Sequence, residues 1–174
     1  MKKIIILASL IISTLATTVS ASEPLKAVTL SGDNGGIISG EDWNSKMLKN
    51  KTTIMMYVDP DKKSDGELVT PIIELFEKDL DLNKFQILMV VNLDATWKPN
   101  AIIKALIKSK AKDNPNRTYI VDAKSVLVKE WKLVDDAYNV VVIDNSSKII
   151  YSHVGNWQKE ELHKLDKLVR KEVN

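Results

Sequence analysis

Residues 52–75, with the sequence TTIMMYVDPDKKSDGELVTPIIEL, carry most of the information about the fold. Thr52 to Val58 form an unbroken apolar and β-branched run, which is typical of a strand covered on both faces. Ser64 and Glu67 have the spacing of a capping box, in which two side chains satisfy amides at a helix start. Pro71 lies inside the helical pattern that follows, where it would remove a backbone hydrogen bond. The stretch therefore predicts a buried strand followed by a helix kinked near Glu67. The apolar positions of that helix are Leu68, Ile72, Leu75, Phe76 and Leu80.

The rest of the chain alternates between strand and helix patterns. In order, it predicts a hairpin of residues 26–30 and 37–39, a short helix at 41–48, a strand at 85–93, a helix at 99–112, a strand at 118–121, a short helix at 125–131, a hairpin of residues 139–143 and 148–153, and an amphipathic C-terminal helix. Because strands alternate with helices, this order predicts an α/β fold with a central mixed sheet between helices and an N-terminal β-hairpin extension.

Large apolar side chains on the helices and at the ends of the strands are assigned to the core. Aromatic residues at helix starts and strand ends are interpreted as core anchors, since they bury more apolar area than other residues. These anchors are Tyr57, Trp97, Trp131 and Trp157. On the helix at 99–112, the positions expected to point inward are Ile102, Ile103, Leu106 and Ile107.

The first 21 residues have the three parts of a secretory signal. Lys2 and Lys3 precede the apolar run Ile4 to Ile12, and the small residues Val19 and Ala21 occupy the third and first positions before the expected cut. We expect cleavage after Ala21, export to the bacterial periplasm, and a mature chain of one domain at 22–174. No later segment has the length and apolarity expected of a membrane span.

The charge balance argues against nucleic acid as a partner. The full chain has 25 basic and 23 acidic residues, and removal of a segment with two lysines and no acids leaves equal numbers. Proteins that bind phosphate backbones normally carry a basic excess on one face. The basic cluster Lys104, Lys108, Lys110 and Lys112 is more typical of the solvated face of a helix.

Several motifs resemble those of the thioredoxin-like superfamily. The stretch Pro71 to Leu75, the strand end Asn92-Leu93-Asp94, and Val154-Gly155 before the last helix carry the likeness. Within that superfamily the chain is most similar to the YtfJ-type family of exported proteins. The supporting motifs are Trp43-Asn44-Ser45, Tyr119-Ile120-Val121-Asp122 and Val140 to Asp144. The resemblance implies a thioredoxin-like three-layer α/β/α sandwich.

The resemblance also locates the position of a redox site. Counted from Pro71, the two cysteine positions of thioredoxins fall on Lys63 and Gly66, and their cis-proline falls on Tyr138 or Asn139. The chain contains no cysteine, so its own residues cannot perform dithiol or disulfide chemistry.

The leading hypothesis is therefore a non-redox binding domain whose ligand is a protein, a peptide or a small anion. The helix start is expected to keep exposed amides and a positive dipole end, which favour an anion. The candidate binding residues are Asp61, Lys63, Ser64, Asp65, Gly66, Tyr138 and Asn139. A junction with no ligand, or a domain that serves only as a scaffold, remains an open alternative.

The second hypothesis is a Mg²⁺-dependent phosphatase of the haloacid dehalogenase type. Asp59 and Asp61 follow an apolar strand, as the nucleophile and the general acid do in those enzymes, and Asp135 with Asp136 could supply a late acidic pair. Under the leading hypothesis the sequence predicts no catalytic residue, no cofactor and no metal site. The two histidines, His153 and His163, do not have the spacing of zinc ligands.

Overall fold

The computed structural model describes residues 24–174, so the predicted signal segment and its cleavage site lie outside the described residues. A six-stranded mixed sheet forms the centre of the fold, in the spatial order β2-β6-β5-β4-β7-β8. Its strands are β2 (Gly35–Ile37), β4 (Thr52–Val58), β5 (Phe85–Asn92), β6 (Arg117–Asp122), β7 (Tyr138–Ile143) and β8 (Ile149–Val154). The three central strands β4, β5 and β6 are parallel, and the outer pairings are antiparallel.

Strand β4 occupies the position that its sequence predicts. All its residues are buried, because β5 and β7 flank it and helices cover both faces. Continuous apolarity is the pattern expected of a strand with no solvent-facing side.

Helices cover both faces of the sheet. Helices α1 (Thr70–Asp79) and α4 (Lys159–Val173) pack on the face that contains Phe85 and Ile87, and α2 (Asn100–Asp113) continues this layer over Val91. Helix α3 (Val126–Trp131) packs on the opposite face, against Leu88 and Val90. Because successive strand residues alternate between faces, these contacts define a three-layer α/β/α arrangement, as predicted.

The predicted N-terminal hairpin does not form. Strand β1 (Thr29–Leu30) instead pairs with β3 (Trp43–Asn44), and β2 pairs with β6. Gly35 explains this choice, because a Cβ atom there would lie 1.9 Å from the carbonyl oxygen of Val121. Gly35 and Gly36, which in the sequence suggest a turn, thus allow the backbone of β2 to approach the main sheet closely. The helix predicted at 41–48 is also replaced, by β3 and a 3₁₀ turn at Ser45–Leu48.

The helix after β4 begins later than predicted and is not kinked by its proline. Residues Pro60–Gly66 form a 3₁₀ helix, and α1 starts at Thr70. Pro71 therefore lies in the first turn, where its missing N–H has no helical acceptor to lose. The capping box is absent, since it is the backbone carbonyl of Ser64 that accepts from the Glu67 amide.

Two of the predicted core anchors outside the strands are confirmed and one is wrong. Trp131 and Trp157 are buried, and Trp131 packs edge-on against Trp43 at 5.9 Å between ring centroids. Trp97 is 85% exposed. Ile102 and Leu106 are also mostly exposed, so α2 buries Ile103 and Ile107 alone of the four predicted positions. Within residues 24–174, no helix combines the length and apolarity needed to cross a bilayer.

Candidate functional site

Three loop segments meet where the parallel strands end. We call residues 59–66, 94–98 and 134–137 together the rim. The amide of Asp59 donates to the carbonyl of Ala137 at 3.0 Å, which joins the first segment to the third. The hydroxyl of Thr96 donates to Asp61 Oδ2 at 2.8 Å, which joins the first segment to the second. The rim therefore contains the segment in which the sequence placed a binding site.

The two acids of the first rim segment have structural contacts. Asp59 is buried, and its Oδ1 accepts a hydrogen bond from the Asp61 amide at 2.7 Å, which caps the 3₁₀ helix. Burial raises the pKa of Asp59, although the bond from Asp61 opposes this shift. Asp61 is exposed and forms an ion pair with Lys98. The hydrogen bonds from Lys98 and Thr96 lower the pKa of Asp61, which keeps its carboxylate ionised.

Gly66 and Tyr138 are packed directly against each other. A Cβ atom at Gly66 would lie 2.3 Å from Cε2 and Cζ of Tyr138 and 2.6 Å from its hydroxyl oxygen. Tyr138 is 5% exposed, and burial raises its pKa to about 12. The structure thus brings together one predicted cysteine position and one predicted cis-proline position. The tyrosine ring fills the space that a side chain at residue 66 would need.

Asn139 holds the third rim segment in place through two hydrogen bonds to the backbone of Val134. It is 1% exposed, its Nδ2 donates to the Val134 carbonyl at 2.9 Å, and its Oδ1 accepts from the Val134 amide at 3.0 Å. Among the predicted binding residues, Asp61, Lys63 and Ser64 are exposed, Asp65 is partly exposed, and Gly66, Tyr138 and Asn139 are buried. The last three therefore shape the rim and do not line its surface.

Sequence reasoning missed a buried acid below the rim. Asp122 is fully buried at the end of β6, where its carboxylate accepts from the Tyr57 hydroxyl at 3.1 Å and from the amides of Val126 and Leu127 at 2.8 Å each. Burial and the negative charge of Asp122 raise the pKa of Tyr57. Asp122 thereby fixes the start of α3. In the sequence, its position between a predicted strand and a predicted short helix could have indicated that it binds amides at the helix start.

A second group of polar side chains ties the outer rim segments together. The Ser125 hydroxyl lies 3.0 Å from Asn92 Oδ1 and 3.2 Å from Asp94 Oδ2. The amide of the Asn92 side chain donates to Asp135 Oδ1 at 3.0 Å. Because Asn92 and Ser125 are buried, these bonds hold the loops at 94 and 135 in fixed positions.

The arrangement does not support the phosphatase hypothesis. Asp59 holds the 3₁₀ helix, Asp61 is paired with Lys98, and Asp135 bonds Asn92. Among residues 24–174, no group of three or more His, Cys, Asp or Glu side chains is placed to hold a metal ion.

Replacement of Asp59 by asparagine is expected to leave the protein at least as stable as the wild type at neutral pH. Asparagine keeps the Oδ1 acceptor and removes the charge that burial disfavours. Since the folded-state pKa of Asp59 is raised, the wild type loses stability as pH rises from the ordinary aspartate pKa through the raised value. The advantage of Asp59→Asn should therefore disappear near pH ~3. Urea unfolding of the wild type and the variant, at neutral pH and at pH ~3, measures this difference in stability.

The matched control is Asp61→Asn, for which the expected change in stability with pH is opposite. The folded-state pKa of Asp61 is lowered, so its contribution to stability is present at neutral pH and is lost as pH falls. A stability loss in Asp59→Asn that persists unchanged at low pH would contradict this account.

The fold and this site define a thioredoxin-like protein without a redox pair. A putative protein disulfide isomerase from Bacteroides thetaiotaomicron has a similar structure, with a TM-score of 0.63 and 16% identity over 90% of this chain and 91% of that chain. The pneumococcal exposed lipoprotein thioredoxin Etrx1 from Streptococcus pneumoniae strain TIGR4 has a TM-score of 0.61 and 17% identity, over 82% and 99% of the two chains. A putative thioredoxin from Neisseria meningitidis has a TM-score of 0.58 at 17% identity, over 86% and 91%.

The sequence comparison defines the family. Residues 26–172 match the family described as "Bacterial protein of unknown function (YtfJ_HI0045)", and the chain belongs to this family. The uncharacterized protein YtfJ of Escherichia coli (strain K12) is 23% identical over 146 residues, which cover 80% of this chain and 79% of that protein. The family resemblance seen in the sequence is thus confirmed.

Proposed function

We propose that this protein is an exported, non-redox binding domain that recognises a protein or peptide partner at the rim. The observation that carries the proposal is the exposure of Trp97, which is 85% accessible while the other three tryptophans are buried. Folding gains little from an aromatic ring left in water, whereas tryptophan is enriched among the residues that dominate protein interfaces.

The location of the rim supports a binding role. In α/β sheets, ligands bind outside the carboxyl ends of parallel strands. Loops that carry function are held by a rigid scaffold. Here Thr96 and Lys98 flank Trp97, and both contact Asp61. The loop that presents the indole ring is therefore anchored on both sides.

The surface chemistry favours a partner with apolar side chains. Leu68 and Val134 are 60% and 50% exposed. Leu68 follows the first rim segment and Val134 belongs to the third. The rim and its edge therefore expose apolar side chains besides Trp97, and the core of a protein interface is more apolar than the rest of the surface.

The backbone argues against a small anion as the main ligand. The amides of Lys62, Glu67 and Val69 already donate to backbone carbonyls of residues 59, 64 and 66, and the Asp61 amide donates to Asp59 Oδ1. Anion sites at helix starts depend on unused amides. Most backbone amides of this region already donate hydrogen bonds within the protein, so a peptide or protein is the better candidate for the ligand.

Export is supported by residues 1–21, which have the three parts of a secretory signal. We expect the full-length chain, expressed with a C-terminal tag in a bacterium, to be recovered from the periplasmic fraction with Ser22 as its first residue. N-terminal sequencing and intact mass measure this. Recovery of the uncleaved chain from the cytoplasm would contradict export.

A photo-crosslinking amino acid at position 97 tests the binding role. In the source bacterium, we expect the variant to give one discrete adduct. The same amino acid at position 106 is the matched control, because Leu106 is also mostly exposed but lies on α2 outside the rim. No adduct, or equal adducts at both positions, would contradict the proposal.

A second substitution shows whether the adduct depends on the rim surface. Val134→Asp in the position-97 variant should abolish the adduct, because it places a charge in the apolar contact area. Leu106→Asp in the same background should leave the adduct unchanged. If both substitutions had the same effect, the adduct would not report docking at the rim.

A further inference from the structure

We infer a second binding site, outside the rim, that takes an extended acidic peptide segment in a groove between β2 and α2. One wall is the end of β2 with the loop that follows it, and the other wall is the lysine-bearing face of α2. The site goes beyond the proposed function and does not depend on it.

The groove consists of two adjoining cavities. The larger has a volume of about 350 Å³ and is lined by Ile38, Ser39, Lys108, Ala111 and Lys112. The smaller has a volume of about 190 Å³, and its lining includes Gly36, Ile38, Lys104, Lys108 and Val121. Because both cavities share Ile38 and Lys108, they form one continuous depression along α2.

The lysines of the groove have the spacing of charges on an extended chain. Lys104, Lys108 and Lys112 occur at intervals of four residues, so they lie on one face of α2, with about 6 Å of helix axis between neighbours. In an extended peptide, every second side chain lies on the same side, with a repeat of roughly 6.6–6.8 Å. Carboxylates at alternate positions can therefore meet the three ammonium groups in sequence, and flexible lysine side chains absorb the small mismatch.

The charges of these lysines are not used within the described part of the chain. The ion pairs of residues 24–174 involve other cations. Beside the opposite wall, the carboxylate of Glu41, which lines neither cavity, accepts a hydrogen bond from the Ser39 hydroxyl, and this bond lowers the pKa of Glu41. The three lysines form no ion pair among the described residues and outnumber this carboxylate, so they create a local positive potential in a chain that is neutral once residues 1–21 are removed.

The shape of the site favours a peptide over a membrane or a nucleic acid. Membranes and nucleic acids bind flat or broad basic surfaces through many charges. Here the lysines border a shallow depression whose lining includes the apolar residues Ile38 and Ala111. Apolar side chains that alternate with carboxylates can contact these residues, as in other extended peptide complexes.

Isothermal titration calorimetry on the mature chain, residues 22–174, tests the inference. The probe is a short capped peptide in which glutamate and valine alternate, and the control peptide has the same composition with all glutamates before all valines. At a salt concentration of ~50 mM, where surface charges are weakly screened, we expect the alternating peptide to bind at least about tenfold more tightly than the control.

Two charge reversals on the same helix locate the binding. Lys108→Glu replaces the lysine that both cavities share and should weaken binding of the alternating peptide by about tenfold. Lys110→Glu makes the same charge change at a position that lines neither cavity, and should change binding by less than about twofold. In NMR spectra of the wild type, the amides of Ile38, Ser39 and Ala111 should shift on addition of the alternating peptide.

Several outcomes would overturn the inference. These are equal binding of the two peptides, equal effects of the two substitutions, absence of binding, or tighter binding of polyphosphate or anionic vesicles than of the alternating peptide. The rim is tested separately, because Lys108→Glu should leave the crosslinking adduct at position 97 intact.

Discussion

Introduction of cysteines at positions 63 and 66 is expected to give a strongly destabilised protein and not a disulfide oxidoreductase. The obstacle is Gly66, where a Cβ atom would lie 2.3 Å from the ring of Tyr138. Tyr138, the first residue of β7, cannot move aside easily, because it is buried in the core cluster that includes residues of α1 and α4. Gly66 does not have a positive φ angle, so the expected cost is steric. We expect Gly66→Ala alone to lower the free energy of unfolding by about 3 kcal/mol, at the upper end of overpacking effects.

A double-mutant cycle distinguishes this clash from other causes. Tyr138→Ala should itself destabilise the protein by about 3–5 kcal/mol, because it leaves a cavity. In that background, however, Gly66→Ala should cost nothing or restore some stability, which corresponds to a coupling of a few kcal/mol. Lys63→Cys is the matched control, since Lys63 is exposed and its replacement should be nearly neutral.

Urea unfolding followed by circular dichroism measures all four proteins of the cycle. If Gly66→Ala were tolerated with Tyr138 in place, the ring would not occupy the position described here. If the double cysteine variant folded and reduced insulin, the conclusion that the site is closed to redox chemistry would be wrong.

Replacement of Asp122 by alanine is the second substitution with a large expected effect. The carboxylate accepts hydrogen bonds from the Tyr57 hydroxyl and from the amides of Val126 and Leu127. Asp122→Ala leaves the Tyr57 hydroxyl and the Leu127 amide buried without an acceptor, and it removes the anchor at the start of α3. We expect the free energy of unfolding to fall by about 3–5 kcal/mol, since each unsatisfied buried donor costs about 1–3 kcal/mol.

Two controls divide the effect of Asp122 among its bonds. Tyr57→Phe removes one donor and leaves the bonds from the amides of Lys124, Val126 and Leu127, so it should cost about 1 kcal/mol. Asp122→Asn keeps one carbonyl oxygen but directs an NH₂ group at a donor, so its cost should lie between the other two. Equal effects of Tyr57→Phe and Asp122→Ala would show that the bonds to α3 contribute nothing.

The parts of the fold that depend on local periodicity were predictable from the sequence. The run from Thr52 to Val58 is apolar throughout because both of its faces are covered, and this is visible without knowledge of its neighbours. Strand pairing is not visible in this way. Gly35 and Gly36 suit a hairpin turn as well as a close approach to Val121, and the distant residue decides between the two.

The sequence could direct attention to the candidate site but could not predict its contacts. The motif around Pro71 singled out Gly66, whereas the contact between Gly66 and Tyr138 joins residues far apart in the chain. Asp122 was missed because acids are seldom buried. Trp97 was assigned to the core because an aromatic side chain fits an interior and an interface equally well, and sequence does not specify which of the two surrounds it.

The unequal environments of the tryptophans provide an optical reporter without any label. All four tryptophans lie in the described residues, and only the ring of Trp97 is open to solvent. Its emission should lie to the red of the others and should be selectively quenched by iodide, whereas the shielded rings should respond to iodide only after unfolding. A blue shift with protection from iodide would therefore report occupancy of the rim in the wild-type protein, in real time, while the spectrum of the shielded indoles verifies that the fold is intact.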